Sequence, residues 1–141
     1  MTASPYILDA RRQALLDGSF TGYSAWAGLR LDSLSDGAAT ISFSPRAEML
    51  SPWGTLNGGV LNGLVEMPSF VALLTMLEPG ELPVTNDIFL QHIRPLPAGE
   101  YVMEGRVVRR GRTMGWTEVD VRCEGKPVTL ARITKTILAG T

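Results

Sequence analysis

The pattern of apolar and polar positions divides the chain into a short helix, two strands, one long apolar helix and four more strands. Ile7, Leu8, Leu15 and Leu16 recur at roughly helical spacing. Ser4 suits an N-cap, Pro5 the first helical position and Gly18 a stop, so a helix is predicted over Pro5 to Asp17. From Trp26 to Ser44 the reading turns to strand. Ala39, Ile41 and Phe43 alternate with Thr40, Ser42 and Ser44, and Asp36-Gly37 separates this run from Leu29 to Leu34, as in a hairpin. Pro45, Ser51, Pro52 and Gly54 then punctuate a loop.

The next segment is the most apolar. Between Val60 and Leu77 the only charge is Glu66, and apolar residues fall on nearly all sides, the pattern of a helix surrounded by protein. Pro68 predicts a kink close to Glu66, because proline lacks a backbone donor and clashes with the preceding turn. Glu78-Pro79-Gly80 ends the helix. Four strands follow, about Val84–Ile93, Tyr101–Arg110, Thr113–Cys123 and Val128–Leu138, with turns at Pro95 to Gly99, Gly111-Arg112 and Gly125-Lys126. In the third of these, Val119, Val121 and Cys123 point one way and Glu118, Asp120 and Arg122 the other. An α+β fold satisfies this order: an antiparallel sheet wrapped around one central helix. Residues 1–22 form an N-terminal helix and lead-in, and residues 23–141 the main body of a single domain.

Composition narrows the chemistry. The 141 residues make one ordinary domain, and a net charge of −1 argues against a nucleic-acid binder held by bulk charge. Cys123 is the only cysteine, so neither an intrachain disulfide nor a cysteine-based zinc site is possible. His92 is the only histidine; no Ser-His-Asp order and no metal-ligand cluster is legible. The start shows no basic stretch leading into an apolar run, and Asn62, Gly63, Glu66 and Pro68 suit lipid poorly. The expectation is a cytoplasmic protein without membrane segment, metal or cofactor.

Glu66 is the residue that stands out. A carboxylate in an apolar helix needs partners, a shifted pKa or a solvent-filled cleft. Gly59, Asn62, Gly63, Glu66, Ser69 and Phe70 share a helical face that is small or polar apart from Phe70, which suits either a cleft or close packing under a structural carboxylate. Gly58-Gly59 opens the helix, where free amides attract polarised carbonyls, or else simply makes a tight turn. His92 and Cys123 read best as structural residues. Arg106, Arg109, Arg110 and Arg112 gather near the turn at Gly111. For Arg106 a solvated hairpin end is the better reading; Arg110 and Arg112 suit phosphate contact.

The segment Leu50-Ser51-Pro52-Trp53-Gly54-Thr55-Leu56-Asn57-Gly58-Gly59-Val60, followed by Glu66, resembles the active-site segment of PaaI-like hotdog thioesterases. Val84-Thr85-Asn86-Asp87-Ile88 through Arg94-Pro95 is similar to the family's next strand, and Val107-Val108-Arg109-Arg110-Gly111-Arg112-Thr113 to its next hairpin. The resemblance spans about Leu29 to Leu138. It implies a hotdog fold, a homo-oligomer (dimer or tetramer), an acyl-coenzyme A substrate and no metal. It makes Glu66 the nucleophile or general base and places Gly58 and Gly59 at the carbonyl-polarising amides. Thr85 falls where some members orient water. Asn57 stands where the family usually has histidine, and Ser51 where it often has asparagine or glutamine. Trp53 and Phe70 are expected to border the acyl group, and Arg110, Arg112 and Thr113 to line the coenzyme side. A non-catalytic acyl-coenzyme A binding or sensing module is the alternative. Gly58 and Glu66 are eight residues apart, about 12 Å along a helix, with Pro68 beyond both. A site shared between two subunits follows, since one carbonyl does not reach both groups of a single helix.

Overall fold

The computed structural model describes residues 6–140. Six antiparallel strands form one sheet: β1 (Arg30–Ser35), β2 (Ala38–Phe43), β3 (Leu82–His92), β4 (Tyr101–Arg110), β5 (Met114–Cys123) and β6 (Lys126–Leu138), in the order β1-β2-β4-β5-β6-β3. The central helix lies across β2, β4 and β5, giving the expected hotdog arrangement. Its apolar face (Val71, Ala72, Leu73 and Leu74) meets Ile41, Phe43, Met103, Val119 and Ile133 from the sheet in one buried core. The alternation in β5 is as read: Val119, Val121 and Cys123 are buried, whereas Glu118, Asp120 and Arg122 are not.

The long helix is in fact two, α3 (Gly58–Leu64) and α4 (Glu66–Leu74), parted at Val65. The cause is Pro68, which has no N–H to give the Leu64 carbonyl four residues back. Pro68 instead falls in the first turn of α4, where a backbone N–H has no intrahelical acceptor anyway. The interruption thus lies between Gly58 and Glu66, not beyond both as the position of Pro68 suggested, and it makes Glu66 the first residue of a helix.

The N-terminal region departs further from expectation. Ser4 and Pro5 lie outside the described residues. The first helix, α1 (Ala10–Ser19), starts later than predicted, because Asp9 is its cap: the Asp9 carboxylate accepts from the Arg12 N–H at 3.0 Å. Trp26 belongs not to a strand but to a second short helix, α2 (Gly22–Trp26). Helix α1 packs against α4 and is tied to it where Arg12 Nη1 donates to the Thr75 carbonyl at 2.7 Å. The β5–β6 turn is Glu124-Gly125, both at positive φ, so Lys126 already belongs to β6.

Two features of the sheet position the site. Strand β3 carries a bulge at Asn86, where Thr85 pairs with Lys135 but Asp87 with Thr134. The extra residue shifts the alternation, so Thr85 falls on the same face as Ile88, Leu90 and His92 although Thr85 and His92 are an odd seven positions apart. Gly105 of β4 lies directly beneath Pro68: a Cβ there would stand 2.4 Å from the Pro68 carbonyl oxygen. Gly115 likewise makes room for the Leu73 side chain. No helix among the described residues is long and apolar enough to cross a membrane.

Gly105→Ala should therefore lower the unfolding midpoint in heat or urea, by about 1–3 kcal/mol as for other overpacked cores. The atom it meets belongs to the backbone and has no rotamer to escape into. An unchanged midpoint would show that the seat of α4 is slack.

Candidate active site

Glu66, Thr85 and Lys135 converge in one cluster. Thr85 and Lys135 are direct cross-strand partners, and the start of α4 places Glu66 above them. Glu66 Oε2 accepts from Thr85 Oγ1 at 2.8 Å and from Lys135 Nζ at 2.8 Å, and Lys135 Nζ also donates to Thr85 Oγ1 at 2.7 Å. The Lys135 side chain is 2% exposed and that of Glu66 31%. Burial pushes the Lys135 pKa below the ordinary lysine value, opposed by its hydrogen bond and charge attraction to Glu66.

Lys135 escaped the sequence reading. Its signal was the alternation of β6, where Thr129, Ala131, Ile133, Lys135 and Ile137 are all buried on the inner face. A charged residue in an inward register is the mark of a paired group.

A second cluster surrounds the start of α3. Asn57 is its N-cap, and its side-chain oxygen accepts from the Gly59 N–H at 2.8 Å. Asn57 thus acts through its acceptor, and the Gly59 amide is spent on it. The Gly58 N–H has no acceptor among the described residues. His92 Nε2 lies 3.0 Å from where a Gly58 Cβ would stand, while its Nδ1 is 2.8 Å from Thr129 Oγ1. The imidazole is structurally bonded, as expected, but it also stands beside the first amide of α3.

The other candidates are dispersed. Ser51 organises its own loop, with Oγ 2.8 Å from Thr55 Oγ1 and accepting from the N–H groups of Trp53 and Thr55. Trp53 is 85% exposed at the tip of that loop, and Phe70 is half-buried against the core. Ser69 does not share the exposed strip. It is fully buried and bonds Thr117 Oγ1 at 2.6 Å, because the helix restarts at Glu66 and turns this residue to the sheet. Arg110 is an internal tie. It pairs with Glu81 and donates to the Gly111 carbonyl at 2.6 Å. Arg106 pairs with Glu118 and Asp120, and Arg109 stacks on Trp116. Arg112 and Thr113 are exposed in the β4–β5 turn, and the Thr113 carbonyl accepts from Ile137 N–H. The row Gly115, Lys135, Thr85 runs across three strands, and Arg110 of β4 pairs with Gly115 at its end. Cys123 is buried, which pushes its thiol pKa up and leaves it a poor nucleophile. Among the described residues no group of three His, Cys, Asp or Glu side chains is placed to hold a metal.

Comparison with known proteins identifies the family. Residues 54–129 match the model of the thioesterase superfamily. Acyl-coenzyme A thioesterase 13 of Homo sapiens is 31% identical over 110 residues, 76% of this chain and 78% of that one. A mutant of the phenylacetic acid degradation protein PaaI from Thermus thermophilus superposes with a TM-score of 0.75 at 28% identity, over 82% of this chain and 98% of that one. A thioesterase from Haemophilus influenzae shares the fold with a TM-score of 0.79 at 22% identity, over 96% and 93% of the two chains. The chain therefore belongs to the thioesterase superfamily and takes its hotdog fold.

Proposed function

We propose that this protein is a cytoplasmic homo-oligomer that hydrolyses an acyl-coenzyme A thioester, with Glu66 as the catalytic carboxylate. The observation that carries this reading is the half-exposed Glu66 carboxylate, held by Thr85 and Lys135 at the start of α4 in a thioesterase-superfamily chain. The named relative that acts on acyl-coenzyme A supports the substrate class. In this reading the Gly58 N–H polarises the thioester carbonyl and stabilises the developing oxyanion. Asn57 and Gly59 build the turn that aims it, and Glu66 attacks the carbonyl carbon or removes a proton from the attacking water. Trp53 and Phe70 border the acyl group, with Ser51 holding the loop that carries Trp53. Arg112 and Thr113 face the nucleotide end of the coenzyme, on a turn that Arg110 fixes through Glu81.

Glu66→Gln tests the central claim on a thioester panel varied in chain length and aryl group, read by thiol release. It should keep the fold and lose about a hundred- to ten-thousand-fold in turnover. Near-normal turnover by the folded variant would dismiss Glu66. Binding without hydrolysis across the panel by the unaltered protein would favour a non-catalytic acyl-coenzyme A module.

Arg112→Ala should raise KM for coenzyme A thioesters several-fold while sparing pantetheine thioesters, which lack the nucleotide phosphates. Equal effects on both substrates would leave Arg112 as a solvated turn residue.

The separation of Gly58 and Glu66 along consecutive helices supports a site built from two chains, the Gly58 amide from one and the Glu66 carboxylate from the other. Co-refolding Glu66→Gln with an inactive, folded Gly58 variant should restore activity, because a mixed dimer then holds one intact site. Mixed dimers that form and stay inactive would place both groups on one chain.

A further inference from the structure

Lys135 is buried at a cost that a leucine or methionine in the same place would not carry. Its neighbours along the inner face of β6, Ile133 and Ile137, show what that row of the sheet otherwise accepts. Gly115, its cross-strand partner on β5, lies under the Leu73 side chain, and the Lys135 side chain is almost wholly enclosed. A charge placed so deep at one oxygen of the proposed catalytic carboxylate calls for a reason beyond packing.

The hydrogen-bond directions supply one. An ammonium group only donates. Thr85 Oγ1 must therefore accept from Lys135, which directs the hydroxyl hydrogen of Thr85 to Glu66. Both donors converge on Oε2, and none among the described residues reaches Oε1. The carboxylate is thus gripped by one oxygen and left open at the other.

We propose that Lys135 is a positioning residue that, with Thr85, pins Oε2 of Glu66 so that Oε1 is the oxygen presented to the thioester or its attacking water. This inference rests on the reading of Glu66 as the catalytic carboxylate. It also assigns the Thr85 hydroxyl to Glu66 rather than to a water molecule. Lys135 itself touches no reacting atom. Its effect is to remove the rotations of Glu66 that would turn Oε1 away, and misplacement by about an ångström costs on the order of a hundredfold in rate.

The test compares Lys135→Met, which keeps length and removes the charge, in the unaltered protein and in the Glu66→Gln background. Melting temperature, kcat and KM are measured on the best thioester of the panel. In the unaltered background kcat should fall about ten- to a hundredfold, with KM within twofold and the fold retained. In the Glu66→Gln background the same substitution should cost no more than about twofold, because its target is already gone. Unchanged kcat, a matched loss in kcat and affinity, or an equal loss in both backgrounds would each overturn the proposal. If Lys135→Met does not fold, Lys135→Gln, which keeps a polar group in the core but is too short to reach Oε2, takes its place with the same expected pattern. Normal turnover by Glu66→Gln alone would refute the reading of Glu66 itself. Loss there with normal turnover by Lys135→Met refutes only the role of Lys135.

Discussion

At Gly105 the backbone of Pro68 presses so closely on the sheet that a single methyl group would collide with its carbonyl oxygen. The rest of the molecule is arranged around that contact. It fixes the height of α4, and Glu66, two residues before Pro68, is lowered to within hydrogen-bond reach of Thr85 and Lys135. Proline serves twice here. Its missing donor interrupts the helix at Val65, and its place in the first turn lets α4 begin at the carboxylate.

The electrostatics follow from that placement. Taking an ammonium group out of water is expensive, and the expense falls as its hydrogen bonds are satisfied. Lys135 has the carboxylate and the Thr85 hydroxyl, and Glu66 keeps contact with solvent. The pair is therefore lopsided: the cation is enclosed and the anion half open. Such an arrangement holds a carboxylate still without hiding it, which suits a group that has to meet a substrate.

What could be read in the chain was whatever repeats locally. Alternation gave β2, β4 and β5 nearly to the residue, and Pro68 announced the break beside Glu66. Helix α2 was missed because five residues, Gly22–Trp26, are too few to show a period. The start of α1 was misplaced because the cap at Asp9 shows itself only in its bond to the Arg12 N–H. Distant pairings left no local trace. Arg110 looked available for phosphate because its partner Glu81 lies 29 residues away, and nothing near Lys135 in the chain marked it, because Glu66 lies 69 residues away. Even so, the inward parity of Lys135 was present in the β6 alternation and would have rewarded attention.

The bulge at Asn86 has a consequence for how such a site can change over time. A strand without it has one parity throughout, so any residue facing inward commits every second neighbour to face inward too. The unpaired residue resets that parity partway along β3 and divides the strand into two independent pages. One page holds Thr85 beside the carboxylate, and the other holds His92 beside Gly58. A one-residue change in length that the bulge takes up leaves the facing of both pages intact, so the two ends of the strand are free to diversify separately. A strand that kept every residue but lost the bulge would bind the two pages into one alternation, and Thr85 and His92, an odd number of positions apart, would face opposite sides of the sheet.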